Sequence, residues 1–203
     1  MWDWILQHST VVQAMVGMVT ALVWITYLHM FVAGMRRQRR TEILITLGGD
    51  RGLAGRIIIS NLGLEPIYVL DVVLKIDAEG EESVVSVTDR AELHPSDRPS
   101  LDVATLQRPL KSGDHVEIGS IDDLLERASL RSERKRKDLD LTRIEITVAA
   151  VTAASSGIAA ARRVFHVTNE NNLLFLRSDK PWSEQIRNRH GRKAIIRQLS
   201  DTL

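Results

Sequence analysis

No Asp, Glu, Lys or Arg occurs between Asp3 and Arg36, and this stretch of 32 residues closes on Arg36-Arg37-Gln38-Arg39-Arg40. A helix needs about 20 apolar residues to cross roughly 30 Å of hydrocarbon. Val11 to Met35 meets that length with room for tilt. Trp2 and Trp4 precede the run and mark one expected interface, because aromatic rings favour the headgroup level, while Trp24 and Tyr27 fall in its second half. A cleaved signal peptide begins with a basic segment and ends at a small-residue site. The first ten residues hold Asp3 and no Lys or Arg, and the apolar run is too long, so an uncleaved anchor over residues 11–35 is expected.

The flanking charges predict its direction. Lys and Arg near a membrane end favour the cytoplasmic side. Arg36, Arg37, Arg39 and Arg40 all follow the run and form a basic linker over residues 36–41. The expected topology therefore places residues 1–10 outside and residues 41–203 in the cytoplasm, with a bacterial inner membrane as the expected location. The chain has no cysteine, which removes disulfide and thiolate-metal chemistry and fits a reducing compartment.

Four arginines against Asp3 leave residues 1–40 at +3, so the other 163 residues carry −2 of the chain's net +1. Nucleic-acid binding domains usually show a basic footprint, so no nucleic-acid partner is expected. The length suffices for one domain with a core of its own.

Beyond the linker the pattern is of short strands. Glu42–Leu47, Arg56–Ser60, Ile67–Ile76, Ser83–Thr88, Arg143–Val151 and Ala160–Val167 are rich in β-branched residues and bounded by turn chemistry. Ile67–Ile76 reads as a central strand. Weaker strands are expected at Val103–Leu106 and His115–Ile118, and an edge strand at Leu173–Leu176. Gly48-Gly49-Asp50-Arg51-Gly52 reads as a hairpin turn and residues 89–101, with two prolines, as a surface loop. The spacing predicts a mainly β, antiparallel sandwich over residues 42–178. Ile57-Ile58-Ile59-Ser60-Asn61-Leu62-Gly63, then Pro66 and a long apolar strand, with the later turn Leu110-Lys111-Ser112-Gly113-Asp114, resembles bacterial immunoglobulin-like domains over about residues 42–168. That resemblance implies a binding or structural role and names no activity. Residues 120–138 depart from it and read as an inserted helix: Ser120 is its candidate cap, and Ile121, Leu124, Leu125 and Ala128 form its apolar face.

Four positions in the apolar run, Ser9, Gln13, Gly17 and Ala21, recur every four residues and share a helix face. Small residues let helices approach closely, and a buried amide hydrogen-bonds across such a contact, so this face reads as a docking stripe for another membrane helix. The expected partners are other integral membrane subunits or a second copy. A basic cluster, Arg131, Arg134, Lys135, Arg136 and Lys137, reads as a solvated face or as pairing with Glu133, Asp138 and Asp140. A second, Arg187, Arg189, Arg192, Lys193 and Arg197, lies in a basic amphipathic tail over residues 179–203, where Trp182, Ile186, Ile195, Ile196, Leu199 and Leu203 supply apolar contacts and Gly191 is a candidate helix break. Anionic lipid, a partner surface and simple packing are equal readings of that tail.

His94 with Asp97 and Asp114-His115 offer titratable groups without a nucleophile or a third orienting member. The six histidines are scattered rather than set at ligand spacing. His8 and His29 bracket the apolar run; axial ligation of a haem or pigment is conceivable, but interfacial histidines that bind nothing are the more ordinary case. The expectation is a non-enzymatic protein with no catalytic, cofactor or metal site and no small-molecule substrate.

Overall fold

Helix α1 (Ser9–Gln38) belongs to the first of two units, Met1–Arg40. The computed structural model describes residues 8–38, 41–78, 80–93, 100–131, 140–152, 155–170 and 173–202. The helix opens with the amides of Val11 and Val12 both donating to the His8 carbonyl at 3.0 Å. Over Ser9–Met35 it is long and apolar enough to cross a membrane. Two of its three threonines return their hydroxyls to the preceding turn, Thr20 to the Val16 carbonyl and Thr26 to the Leu22 carbonyl, each at 2.8 Å. Those two hydroxyls need no water. Trp24 and Tyr27 meet edge to face, with ring centroids 6.1 Å apart.

The second unit, Thr41–Leu203, is mainly β and its sheets are antiparallel. One sheet has the order β1 (Ile43–Gly48), β2 (Arg56–Asn61), β6 (His115–Ser120). The other runs β10 (Glu184–Ile186), β8 (Ser155–Glu170), β7 (Leu141–Thr152), β3 (Ile67–Ala78), β4 (Glu81–Ser86); β5 (Pro109–Leu110) also pairs with β3, and β9 (Leu173–Ser178) with β8. The expected central strand is therefore interior, bonded to β7 on one side and to β4 and β5 on the other. The strands alternate because alternate side chains enter one core. Ile43 and Ile45 from β1, Ile57 and Ile59 from β2 and Ile118 from β6 join Val69, Leu74, Ile146, Val148 and Phe165 from the larger sheet in a single cluster. In β7 the alternation fails, because Val148, Ala149 and Ala150 are all buried. The outer face there is also covered: Ala149 and Ala160 pack on Ile195 of helix α4 (Arg189–Thr202).

The inserted helix is α3 (Ile121–Arg131), and its start is a reciprocal cap. The Asp123 amide donates to Ser120 Oγ at 3.0 Å, and the Ser120 amide donates to Asp123 Oδ2 at 2.7 Å. Ile121, Leu124, Leu125 and Ala128 are buried as the spacing predicts, and Arg127 is buried with them at 1% exposure. Its guanidinium grips Glu92 with two bonds, Nε to Oε2 at 2.7 Å and Nη2 to Oε1 at 2.6 Å, and Nη1 reaches the Val87 carbonyl at 3.3 Å. Gly119 makes room for that side chain. Its φ is +117° at an irregularity in the β2–β6 pairing, and a Cβ there would lie 2.9 Å from Arg127 Nη2.

A second buried charge sits on β3, where the register with β7 slips between Val69 and Asp71. The Asp71 carboxylate accepts from Ser86 Oγ at 2.6 Å, from Thr88 Oγ1 and from the Val72 amide at 2.8 Å. Three donors on one oxygen replace the water lost on burial.

The strand expected at Val103–Leu106 is not formed. Leu101–Ala104 is a single helical turn, α2, because the amides of Val103 and Ala104 both return to the Ser100 carbonyl at 3.1 Å. Only Thr105 pairs in strand fashion, in one bridge to Asp89.

Removing one partner of a buried bidentate pair strands the other, at a cost of about 3–5 kcal/mol. Arg127→Ala is expected to lower the unfolding free energy of the full chain, read from urea titration in mild detergent, by that amount. Arg127→Met combined with Glu92→Leu is expected to recover most of it, because no charge is then left buried.

Candidate functional site

On α1, Ser9, Gln13, Gly17 and Ala21 lie exposed at one-turn spacing. The Thr20 and Thr26 hydroxyls are satisfied within the helix, whereas the Gln13 carboxamide has no hydrogen-bond partner among the described residues. A Cβ placed on Gly17, one turn on, would meet nothing within 4 Å, so the backbone is open to close approach. Arg36 and Arg37 fall in the last turns of α1, while Arg39, Arg40, Trp2 and Trp4 lie outside the described residues.

The C-terminal segment is built into the domain. Glu184–Ile186 forms β10 on the edge of the larger sheet, an element the sequence reading missed. Just before it, Ser183 Oγ accepts the Ile45 amide at 2.7 Å; on β10, Gln185 Oε1 accepts the Ile43 amide at 3.2 Å and Gln185 Nε2 donates to the Ile43 carbonyl at 2.6 Å. Arg163 Nη1 donates to the Ile45 carbonyl. Side chains thus occupy the outer edge of β1 where another strand would bond.

Gly191 does not break the following helix, as the sequence reading allowed, but sits in its first turn. Asn188 caps it: the Gly191 amide donates to Asn188 Oδ1 at 2.9 Å and the Arg192 amide to the Asn188 carbonyl at 3.1 Å. A Cβ on Gly191 would lie 2.4 Å from Asn188 Oδ1 and 2.6 Å from Ile186 Cγ2, so only glycine fits beneath the cap. Ile195 turns inward, and this gives the five basic residues different environments. Arg189, Lys193 and Arg197 are exposed four residues apart on one face, with Ile196 beside them. Arg192 is half-buried, its Nε enclosed without a hydrogen-bond partner among the described residues. Arg187 bonds Glu42 at 2.6 Å.

Glu42 stands two residues after Arg40, and a second contact converges on it: the Leu62 amide donates to the Glu42 carbonyl at 2.8 Å. Leu62 belongs to the turn after β2, which is organised by Asn61, a fully buried side chain. Asn61 Nδ2 donates to the carbonyls of Glu65 at 2.9 Å, Leu110 at 3.1 Å and Lys111 at 3.2 Å, and Oδ1 accepts the Gly63 amide at 3.0 Å. Its backbone bonds the neighbouring turn as well, its amide to the Asp114 carbonyl at 2.9 Å and its carbonyl to the Gly113 amide at 2.8 Å. Both turns of the immunoglobulin resemblance thus meet at one residue. Leu62 and Leu64 project from this rigid base with 56% and 62% of their surface exposed.

The remaining candidates are less organised. A depression of about 610 Å³ beside the start of α3 is lined by Arg56, Arg90, Glu92, Glu117, Asp123 and Arg127. Arg56 pairs with Glu117 at 2.5 Å and Arg127 with Glu92, so its charges largely cancel. Burial, then the adjacent Arg127 guanidinium, lowers the Arg90 pKa from its ordinary value. Asp114 Oδ2 accepts the Lys111 amide at 3.0 Å and closes the turn; His115 begins β6, exposed. His94, Asp97 and residues 134–137 of the first basic cluster lie outside the described residues. The remaining member, Arg131, is turned to the domain, bonding the Ser86 carbonyl at 3.0 Å and Asp89 at 2.9 Å. Among the described residues no three His, Cys, Asp or Glu side chains are grouped to hold a metal ion.

Comparison with family models, with curated proteins and with solved structures finds no match to this chain.

Gly→Ala inside a helix ordinarily stabilises it by up to about 1 kcal/mol. Here the sign is expected to reverse: Gly191→Ala is expected to lower the thermal midpoint, because the methyl displaces the Asn188 cap. Ser183→Ala leaves the Ile45 amide without its acceptor, and a loss of about 1–3 kcal/mol is expected in denaturant titration.

Proposed function

We propose that this chain is a non-catalytic, single-pass membrane protein, an accessory or assembly subunit of a larger membrane complex that docks through both its anchor helix and its β domain. The observation that carries the reading is Gln13 on α1. A carboxamide facing hydrocarbon without a partner is costly, and another helix is the usual source of one. Gly17 supplies the close approach such a bond needs. With Arg36, Arg37, Arg39 and Arg40 following the helix, the positive-inside rule orients the β domain to the cytoplasm, and we place the protein in a bacterial inner membrane.

We read the β domain as an immunoglobulin-like sandwich. The strand orders support it: β1-β2-β6 corresponds to strands A, B and E of that fold, and β4-β3-β7-β8 to C′, C, F and G. On this reading α3 is an insertion between E and F. Such domains are mostly binding and structural modules, in keeping with an accessory role.

A specific observation favours a second reading. Arg189, Lys193 and Arg197 form an exposed row on α4, and basic residues beside an anionic leaflet contribute about 1 kcal/mol each. A membrane-surface or signalling scaffold using that row would bind anionic vesicles, or a soluble partner, in a salt-sensitive way.

Gentle detergent extraction followed by native mass determination tests the leading reading. The wild-type chain is expected in an assembly heavier than the monomer, with Gln13→Leu and Gly17→Ile each shifting it towards monomer. Gly17→Ile is the sharper variant, since it blocks close approach without changing polarity. A monomer at every concentration would overturn the subunit reading. Salt-sensitive vesicle flotation lost in the Arg189→Glu, Lys193→Glu and Arg197→Glu triple variant would favour the scaffold.

A further inference from the structure

We infer that the Leu62-Gly63-Leu64 turn is a membrane-surface foot, which seats the β domain on the headgroup–acyl boundary of the bilayer that holds the chain's own anchor. This rests on the proposal that α1 spans a membrane. Three observations converge on it.

The first is exposure on a rigid support. Leu62 and Leu64 are the two large apolar side chains of the turn, both more than half exposed, and each interrupts a buried neighbour, Asn61 and Gly63. Asn61 holds the turn with four side-chain hydrogen bonds, so the leucines are displayed without further ordering cost on binding. A folded domain has little reason to fix two leucines in water on so stiff a base.

The second is connectivity. Leu62 bonds Glu42 directly, and Glu42 lies seven residues after Met35, the last residue of the candidate span. At about 3.5 Å per residue that leash extends at most about 25 Å. A tether so short converts docking into an intramolecular step at an effective concentration on the order of millimolar. A contact too weak to hold a free domain on a membrane then suffices. Partial burial of the two leucines is enough under such a tether.

The third is the handling of charge around the foot. Glu42 is neutralised by Arg187 at 2.6 Å, and Asp114 is bonded to the Lys111 amide at 3.0 Å. Glu65 is half-buried, while the side chain of Lys111 is exposed on the adjoining turn. The carboxylates nearest the leucines are thus paired, hydrogen-bonded or withdrawn, and a cation without a partner among the described residues flanks them. That arrangement suits phosphate headgroups better than it suits an acidic protein surface.

The absence of cysteine makes the test direct, because single-cysteine variants of the full chain can be labelled without background. Lys111→Cys places an environment-sensitive fluorophore beside the foot and keeps both leucines. Glu82→Cys places it near the far end of β3, and Met15→Cys within the apolar helix. Each is reconstituted into vesicles of phosphatidylcholine and phosphatidylglycerol carrying a lipid-borne quencher near the headgroup. Strong quenching at Met15→Cys is the control for the anchor; without it the membrane-spanning proposal itself fails. Given that control, quenching at Lys111→Cys is expected to exceed that at Glu82→Cys by roughly twofold or more. Leu62→Ser with Leu64→Ser is expected to bring it down to the Glu82→Cys level. Equal quenching at the two sites, or no effect of the serines, overturns the foot. So does a blue-shifted but unquenched Lys111→Cys probe, which would mean that protein rather than lipid covers the turn.

Discussion

The buried carboxamide of Asn61 is the contact on which the rest of the domain leans. The chain leaves the smaller sheet at this residue and enters the larger one six residues later, at Ile67. A crossing between sheets exposes carbonyls that no strand can satisfy, and burying them unpaired would cost the domain dearly. Asn61 answers three of those carbonyls with one nitrogen and one amide with its oxygen. By doing so it locks two turns together, and the strands on either side can then share one core. The position of Leu62 against Glu42, where the chain enters the domain, follows from the same lock.

The second constraint is the edge of β1. A short three-stranded sheet has two unprotected sides, each a template for unwanted pairing. On β1, the side away from β2 is taken up by Ser183, Gln185 and Arg163 through five bonds to two residues, Ile43 and Ile45. This ties the end of the chain to its beginning across about 140 positions and brings α4 over β7 and β8. What reads locally as a charged tail is therefore a fastening. Its surface ion pairs, such as Arg187 with Glu42 and Arg162 with Glu184, contribute little by themselves. The buried Arg127–Glu92 pair is another matter, since each partner is costly without the other.

The elements legible beforehand were those specified by near neighbours. The strands β2, β3 and β7 are written in β-branched runs, and the reciprocal cap of Ser120 and Asp123 lies within four residues. The face of α1 carrying Gln13 and Gly17 follows from spacing alone. Val103–Leu106 was misread because two amides bonding back to Ser100 outcompeted a weak strand pattern. Gly191 was misread because glycine ordinarily weakens a helix, and its reason for being there is the side chain of Asn188 above it. Arg127 and Asp71 carry no local mark of burial. Their partners, Glu92, Ser86 and Thr88, lie 15 to 35 residues away.

By itself the sequence determined an apolar helix long enough to cross a membrane, a charge step after it, and a β-rich domain of antiparallel strands. These depend on composition and period, which are local properties of the chain. Only the tertiary structure decided that Ser183, Gln185 and Arg163 close the edge of the first strand, that Arg127 is an interior group, and that two leucines stand beside the point where the chain enters the domain. Those outcomes rest on hydrogen bonds and burial between residues far apart in sequence. Pairings of that kind exist only once the sheets have packed.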